Sequence, residues 1–234
     1  SGSYASSTTY VTGMAVEKAC TQLKERFCAI AAEILGCAAD ELAFEDGHVV
    51  RESTGETVSL PAIAEKSQCN SCQLAEATAM HSSPVSPPPF MVGMAEIELD
   101  RETGMVEVLN FDAVVDCGIP INPALARIQV EGGIVQGIGH TLMEDVTRTP
   151  KGAIRESSLF TYRLPTRLDV GDIRVEFEHS YEPTGPFGAK SIGEIVINTP
   201  APAIAHAIYR ATGVWHRELP ILPEHVLLAK PEAD

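Results

Sequence analysis

The sequence is poor in aromatic residues and in basic residues. Aromatic residues make up 6% of the 234 positions, so the core must be built mainly from Ala, Val, Ile and Leu. The 17 Lys and Arg residues stand against 32 Asp and Glu, which gives a formal net charge of −15. Because an acidic surface repels phosphate backbones and anionic lipid headgroups, we expect neither nucleic acid nor a membrane as a partner.

The sequence has no long apolar run, and no signal-peptide pattern is visible at its start. No stretch approaches the ~20 apolar residues that span a bilayer, and the first residues do not follow the pattern of a signal peptide. The chain begins with Ser1 rather than Met. We therefore expect a processed protein or a piece of a longer one.

Six cysteines are present, and their spacing gives little chemical information. Cys69 and Cys72 form a CxxC, but no second CxxC or HxxxH follows it, as a structural zinc site would require. Loop cysteines are the favoured interpretation, with a zinc or redox role as the alternative. Cys20 and Cys28 fall in a helical pattern and are interpreted as small buried hydrophobic residues. No histidine spacing indicates a metal site, and the cysteines fit a reducing cytoplasm.

Hydrophobic spacing predicts helices and strands in a mixed order. A two-residue alternation predicts an antiparallel hairpin at 91–115 and strands at 153–163 and 172–181, with shorter strands inside 41–60. Spacings of three and four residues predict the main helices, at 13–35, 122–144 and 200–212. Regular βαβ units are missing, so we expect an α+β fold in which helices pack on mixed or antiparallel sheets.

Three segments depart from the local rules of regular structure, and functional residues are often found in such segments. The first is residues 3–9, where small and hydroxyl side chains precede a helix. Exposed backbone amides at the N-terminal end of a helix bind anions. A flexible tail with a helix cap is the alternative interpretation.

The second segment carries four glycines inside a predicted helix, at positions 132, 133, 137 and 139. An interior glycine destabilises a helix by roughly 1 kcal/mol relative to Ala, so these glycines indicate a close approach of some other group. That group is either a bulky ligand, for which Gln136 offers a donor and an acceptor, or a tightly packed neighbouring segment.

The third segment is residues 185–194, in which Glu194 ends a glycine-rich loop and precedes a predicted helix. A carboxylate on such a loop can accept a proton from a bound substrate. The alternative is a carboxylate that only stabilises the N-terminal end of the helix through its dipole.

Together the three segments resemble the C-terminal half of the large subunit of xanthine dehydrogenases, aldehyde oxidases and nicotinate dehydrogenases. The resemblance covers residues 1–228 in the order of that family. It rests on SGSYASSTTYVTGMAV, on EIELDRETGMVEVLNFDAVVDCGIPINPALARIQVEGGIVQGIGHTLMED and on FGAKSIGEIVINTPAPAIAHAI. It implies that residues 1–234 are one C-terminal molybdopterin-binding region, in one piece or in two subdomains.

The resemblance implies a molybdenum–molybdopterin cofactor, in bacteria often the cytosine dinucleotide form. Glu194 would lie beside the metal as the catalytic base, with no protein ligand to the metal from this chain. Cofactor contacts would come from Ser3, Ala5, Ser6, Ser7, Thr8, Gln136 and Gly193.

The resemblance also implies what must lie on other chains or segments. The preceding half of the subunit, an iron–sulfur [2Fe–2S] subunit and an FAD subunit would complete the enzyme. The reaction would be hydroxylation of a purine, an N-heterocycle or an aldehyde with oxygen from water. A non-catalytic assembly or binding module with the same fold is the alternative.

Overall fold

A computed structural model describes Tyr4 and residues 6–69, 74–83 and 85–229. The predicted site residues Ser3 and Ala5, and Cys72 of the CxxC, lie outside the described residues. The chain divides into two compact units, one made of Ser1–Tyr10 with Val85–Asp234 and the other of Val11–Pro84. No helix of the described part is both long and apolar enough to cross a bilayer.

The smaller unit packs its two helices against each other and against a three-stranded antiparallel sheet. Its sheet has the order β1–β2–β3, and a two-residue turn at Asp46 and Gly47 joins the first two strands. Both turn residues have positive φ, as a tight hairpin requires. The elements are α1 (Gly13–Leu35), β1 (Leu42–Glu45), β2 (His48–Arg51), β3 (Thr57–Ser59) and α2 (Leu60–Cys69).

The larger unit contains a second three-stranded sheet, in the order β4–β5–β6. The predicted hairpin is confirmed as β4 (Phe90–Leu99) and β5 (Val106–Asp116). The third strand, β6 (Asp172–Phe177), pairs parallel to β5. Because parallel neighbours need a crossover connection, the chain between them passes over the sheet as a helix, and β5 and β6 end at the same edge.

The crossover helix α3 (Pro123–Leu142) packs with α4 (Pro200–Thr212) on the sheet, and α5 (Pro223–Leu228) closes the unit. Asn122 caps α3, since its side chain accepts a hydrogen bond from Leu125 N, and Pro123 occupies the first turn. The core is built from residues that these elements bury completely, among them Phe111, Val115, Ile134, Ile138, Ile204 and Ile208. The predicted α+β fold is confirmed.

Two local predictions are wrong. Residues 153–163 form no strand beyond a single bridge between Arg148 and Ile154, because the backbone turns on itself: Tyr162 N donates to Ser158 O. The side chain of Phe160 is fully exposed, so the apolar residues here face no core. Cys20 is exposed, so it is not the buried residue that the helical pattern predicted, whereas Cys28 is partly buried and packs against the core of the smaller unit.

Candidate functional site

Ser6 and Glu194 form a two-point contact in the larger unit. The Ser6 hydroxyl accepts a hydrogen bond from the Glu194 backbone N at 2.7 Å. The same hydroxyl donates to Glu194 Oε2 at 3.2 Å. One serine therefore fixes both the backbone and one carboxylate oxygen of Glu194, while Oε1 has no partner among the described residues.

The backbone of Ser6 is held in an unusual conformation. Its φ of 55° lies in the left-handed region, which residues other than glycine seldom adopt and which is often found at functional sites. Gly193 makes room for this arrangement, because a Cβ at that position would lie 2.9 Å from Ser6 Oγ. The glycine before the carboxylate is thus required by the approach of Ser6.

Gln129 of α3 supports the same loop from the other side. Its side-chain Nε2 donates to Gly193 O at 2.9 Å. Gln129 is not among the site residues predicted from the sequence, although it lies two helical turns before Gln136 on the same face. No signal in the sequence marks this amide, because its role depends on the loop carrying Gly193 packing against α3.

Two cavities meet at Gln129 and Gly193. The first has a volume of about 440 Å³ and combines an apolar wall with polar side chains from Ser6, Thr8, Thr9, Asn122, Gln129 and Lys190. The second has about 540 Å³ and is lined mainly by one face of α3 and by the loop, through Leu125, Ile128, Gln129, Gly132, Gly133, Gln136, Gly193, Val196 and Ile197.

The four glycines of α3 divide into two kinds. A Cβ on Gly133 would lie 2.1 Å from Val196 Cγ2, one on Gly137 2.6 Å from Pro200 Cγ, and one on Gly139 2.1 Å from Glu144 Oε1. These three allow the protein's own segments to pack closely. Gly132 is different, since nothing lies within 4 Å of its Cβ position and it faces the second cavity.

The predicted site residues are therefore gathered only in part. Ser6, Thr8 and Gly193 line the first cavity, and Gln136 and Gly193 line the second. Ser7 lines neither cavity, and its hydroxyl donates to Tyr4 O. Glu194 precedes a short 3-10 turn rather than an α-helix directly, because α4 begins only at Pro200.

A mostly buried charge pair lies beside the first cavity. Lys190 Nζ donates to Asp116 Oδ2 at 2.6 Å. Burial raises the pKa of Asp116, but hydrogen bonds from Lys190, Ser180 and the Gly118 amide outweigh it and hold that pKa below its ordinary value. Next to it, burial and then the Asp116 charge raise the pKa of the Cys117 thiol to about 11.

The model of a molybdopterin cofactor-binding domain matches residues 1–171. The chain belongs to this family. A probable hypoxanthine oxidase of Escherichia coli (strain K12), XdhD, is 36% identical over 230 residues, which are 97% of this chain and 24% of the relative. The gamma subunit of the 6-hydroxypseudooxynicotine dehydrogenase complex of Paenarthrobacter nicotinovorans is 32% identical, over 96% of this chain and 30% of the relative.

A solved structure has the same fold over most of this chain. Quinoline 2-oxidoreductase from Pseudomonas putida 86 superposes with a TM-score of 0.85 at 28% identity, over 97% of this chain and 31% of that one. This chain thus spans about a quarter to a third of the length of its relatives.

The residues around the cavities fit a molybdopterin group. A pterin with a phosphate tail needs hydrogen-bond donors and a wall without bulky side chains. The side-chain amides of Gln129 and Gln136 are such donors. The open position at Gly132 leaves the wall of the second cavity free of a side chain.

Proposed function

We propose that this chain forms part of a molybdenum hydroxylase that oxidises a purine, an N-heterocycle or an aldehyde with oxygen from water. The observation that carries the proposal is the Ser6–Glu194 contact, which holds a carboxylate next to Gly193, where the two cavities meet. The names of the relatives support the substrate class, since one is a probable hypoxanthine oxidase and another a quinoline 2-oxidoreductase.

In this proposal the polar side chains around the cavities hold the cofactor. Ser6 and Thr8, with Ser3 and Ala5 before them, would contact its phosphate and pterin parts, and Gln136 and Gly193 would contact it from the second cavity. Ser7, whose hydroxyl donates to Tyr4 O, is left out of this set. When bound, the molybdenum cofactor supplies the centre that takes two electrons from the substrate. The cytosine dinucleotide form is one form of this cofactor that the site would hold.

Glu194 is the proton acceptor of the proposed reaction. Its Oε2 is oriented by the Ser6 hydroxyl at 3.2 Å, so Oε1 is the oxygen with a free lone pair for a proton of the water-derived nucleophile. A general base must lie within hydrogen-bond reach of the proton that it takes. Ser6 and Gln129 hold the carboxylate and the Gly193 peptide in place, which would keep Glu194 within such reach of a bound substrate.

The remaining parts of the proposed enzyme lie outside this chain. The preceding half of the large subunit would complete the cofactor site, and [2Fe–2S] and FAD subunits would carry the electrons away. The name of one relative, a dehydrogenase complex subunit, supports an assembly of several chains. The cysteines described as free favour a reducing compartment such as the cytoplasm.

Glu194→Gln in the assembled enzyme tests the proposal. Gln keeps the shape of the side chain but takes no proton at neutral pH, so turnover should fall by about 10²–10⁴-fold. Molybdenum content and melting temperature should stay near those of the wild type. Glu98→Gln is the matched control, because Glu98 is exposed like Glu194 but lies on β4, a strand that contributes no residue to either cavity.

Two results would count against the proposal. Retention of more than about a tenth of the turnover by a fully loaded Glu194→Gln variant would remove Glu194 as the base, since even the low end of general-base catalysis is larger. An assembled wild-type complex that contains no molybdenum would favour the non-catalytic module instead.

A further inference from the structure

The loop before Glu194 is fastened to the end of β5 by main-chain hydrogen bonds. Ile119 N donates to Gly188 O at 2.9 Å, and Lys190 N donates to Cys117 O at 2.7 Å. Between these bonds, Gly118 and Ala189 form an isolated antiparallel bridge. The loop therefore runs along the segment that leaves the sheet.

Direct backbone contact makes this attachment tight. Gly118 has a φ of 67°, and a Cβ on it would lie 2.3 Å from Gly188 O. Since only glycine tolerates both conditions, no side chain separates the two segments. The loop cannot move away from β5 without breaking these contacts.

Lys190 adds a side-chain tether to the same place. Its Nζ lies 2.6 Å from Asp116 Oδ2, and the two side chains are only 11% and 19% exposed. The other Asp116 oxygen accepts hydrogen bonds from Ser180 and from the Gly118 amide. The ring of Phe90 lies 5.6 Å from the Lys190 ammonium. Each charge therefore has a fixed partner, unlike an ordinary surface ion pair.

We propose that Lys190 and Asp116 are a positioning pair for Glu194. The inference rests on the proposed role of Glu194 as the base. Only residues 191–193 separate the tether from the carboxylate, and the far end of this stretch is held by Ser6 and Gln129. The loop is thus fixed at both ends, and release of one end shifts the carboxylate. A misplacement of about 1 Å in an active site can reduce the rate by about 10²-fold.

The test compares Lys190→Met, Asp116→Asn and the double variant in the assembled enzyme. Each single change should lower kcat by about 10- to 100-fold with KM near the wild-type value. The double variant should be no worse than the poorer single one, because residues that act through one contact are not additive. Lys190→Arg, which keeps the charge, should recover most of the activity.

Amide hydrogen exchange gives a readout that is independent of turnover. Exchange in residues 191–197 should become about tenfold faster or more in the single variants, as expected for local opening, while exchange in α3 stays unchanged. The matched control is Arg174→Met, which removes an exposed ion pair between Arg174 of β6 and Asp112 of β5, the strand that also carries Asp116. The side chains of Arg174 and Asp112 are 66% and 40% exposed. It should change neither exchange in the loop nor kcat.

The Asp116 variant separates positioning from ligand binding. Lys190 lines the first cavity whereas Asp116 does not, so a loss confined to Lys190→Met would mean that the lysine contacts a ligand and would overturn the proposal. Wild-type exchange and kcat in both single variants would overturn it as well. If one single variant does not fold, the double variant, which leaves no unpaired charge, must still show the faster exchange and the lower kcat.

Failure of the proposed function gives a different pattern. In that case Glu194→Gln would keep full turnover, whereas the exchange measurement would still report on the tether.

Discussion

Two adjacent glycines of α3 provide a sharp test of how the second cavity is used. A Cβ on Gly132 would meet nothing within 4 Å, whereas one on Gly133 would lie 2.1 Å from Val196 Cγ2 and 2.8 Å from Val196 Cβ. Gly132→Ala and Gly133→Ala add the same methyl group one position apart in one helix. We expect their effects on stability to have opposite signs.

The expected magnitudes follow from these contacts. Replacing an interior helical glycine with alanine stabilises a helix by up to ~1 kcal/mol, and at Gly132 nothing opposes that gain. In a chain of this size it corresponds to a rise in Tm of about 2–4 °C. At Gly133 the buried Val196 must move, and overpacking a core costs about 1–3 kcal/mol, so the net change is a loss and Tm should fall.

We expect cofactor content to fall in the more stable variant, Gly132→Ala, and to be kept in the less stable one, Gly133→Ala. The methyl group of Gly132→Ala points into the second cavity, so the molybdopterin affinity of the assembled enzyme should fall about 5- to 100-fold if that space is filled by the cofactor. Folded Gly133→Ala should keep its cofactor. Melting curves and molybdenum and pterin analysis of both variants decide the matter. Full cofactor content in Gly132→Ala would refute the assignment of this cavity to the cofactor.

Three further predictions concern single side chains. Ser6→Ala removes both contacts to Glu194, so kcat should fall about tenfold or more. Ser7→Ala loses only a bond to Tyr4 O and should lower kcat less in the same turnover assay. Equal losses of kcat in the two variants would argue against a role of the Ser6–Glu194 contact. Because the folded pKa of Asp116 is depressed, its stabilisation is complete above its ordinary pKa of about 3.9 and is lost as the pH falls through the folded value. The Tm difference between wild type and the Asp116→Asn variant should therefore shrink in acid, and a constant difference would contradict this. Since thiolates are the reactive form, iodoacetamide at pH 8 should label exposed Cys20 and spare Cys117, whose pKa is about 11; peptide mass spectrometry shows which thiol reacts.

Local patterns allowed most of the regular structure to be predicted. The period of the helix at 13–35 ends where Gly36 adopts a left-handed φ of 66°, and the hairpin at 91–115 is marked by alternation on both sides of a turn. The parallel pairing of β6 was not predictable in this way. The alternation of apolar and polar residues in β6 is the same whichever strand it pairs with. The pairing with β5 is decided by the crossover through α3.

A candidate site could be proposed from the sequence where one residue type carries the signal. Glu194 and Gln136 stand out because a carboxylate and an amide interrupt glycine-rich stretches. The role of Gln129 could not be predicted, since an amide on a helix surface is ordinary until the loop carrying Gly193 packs against it. The tether between Lys190 and Asp116 was missed for the same reason, because it joins residues from two distant segments.

The contact between Ser6 and Glu194 joins positions 188 residues apart in the sequence. A ribosome that adds about 5–20 residues per second needs roughly 10 to 40 s to make the intervening chain. During that time Ser6 has no partner with which to form the site, and closure of so long a loop comes late in folding. The carboxylate is therefore set in place only when synthesis of the unit is nearly complete. Any cofactor contact that depends on the Ser6–Glu194 arrangement must accordingly form after this unit has folded.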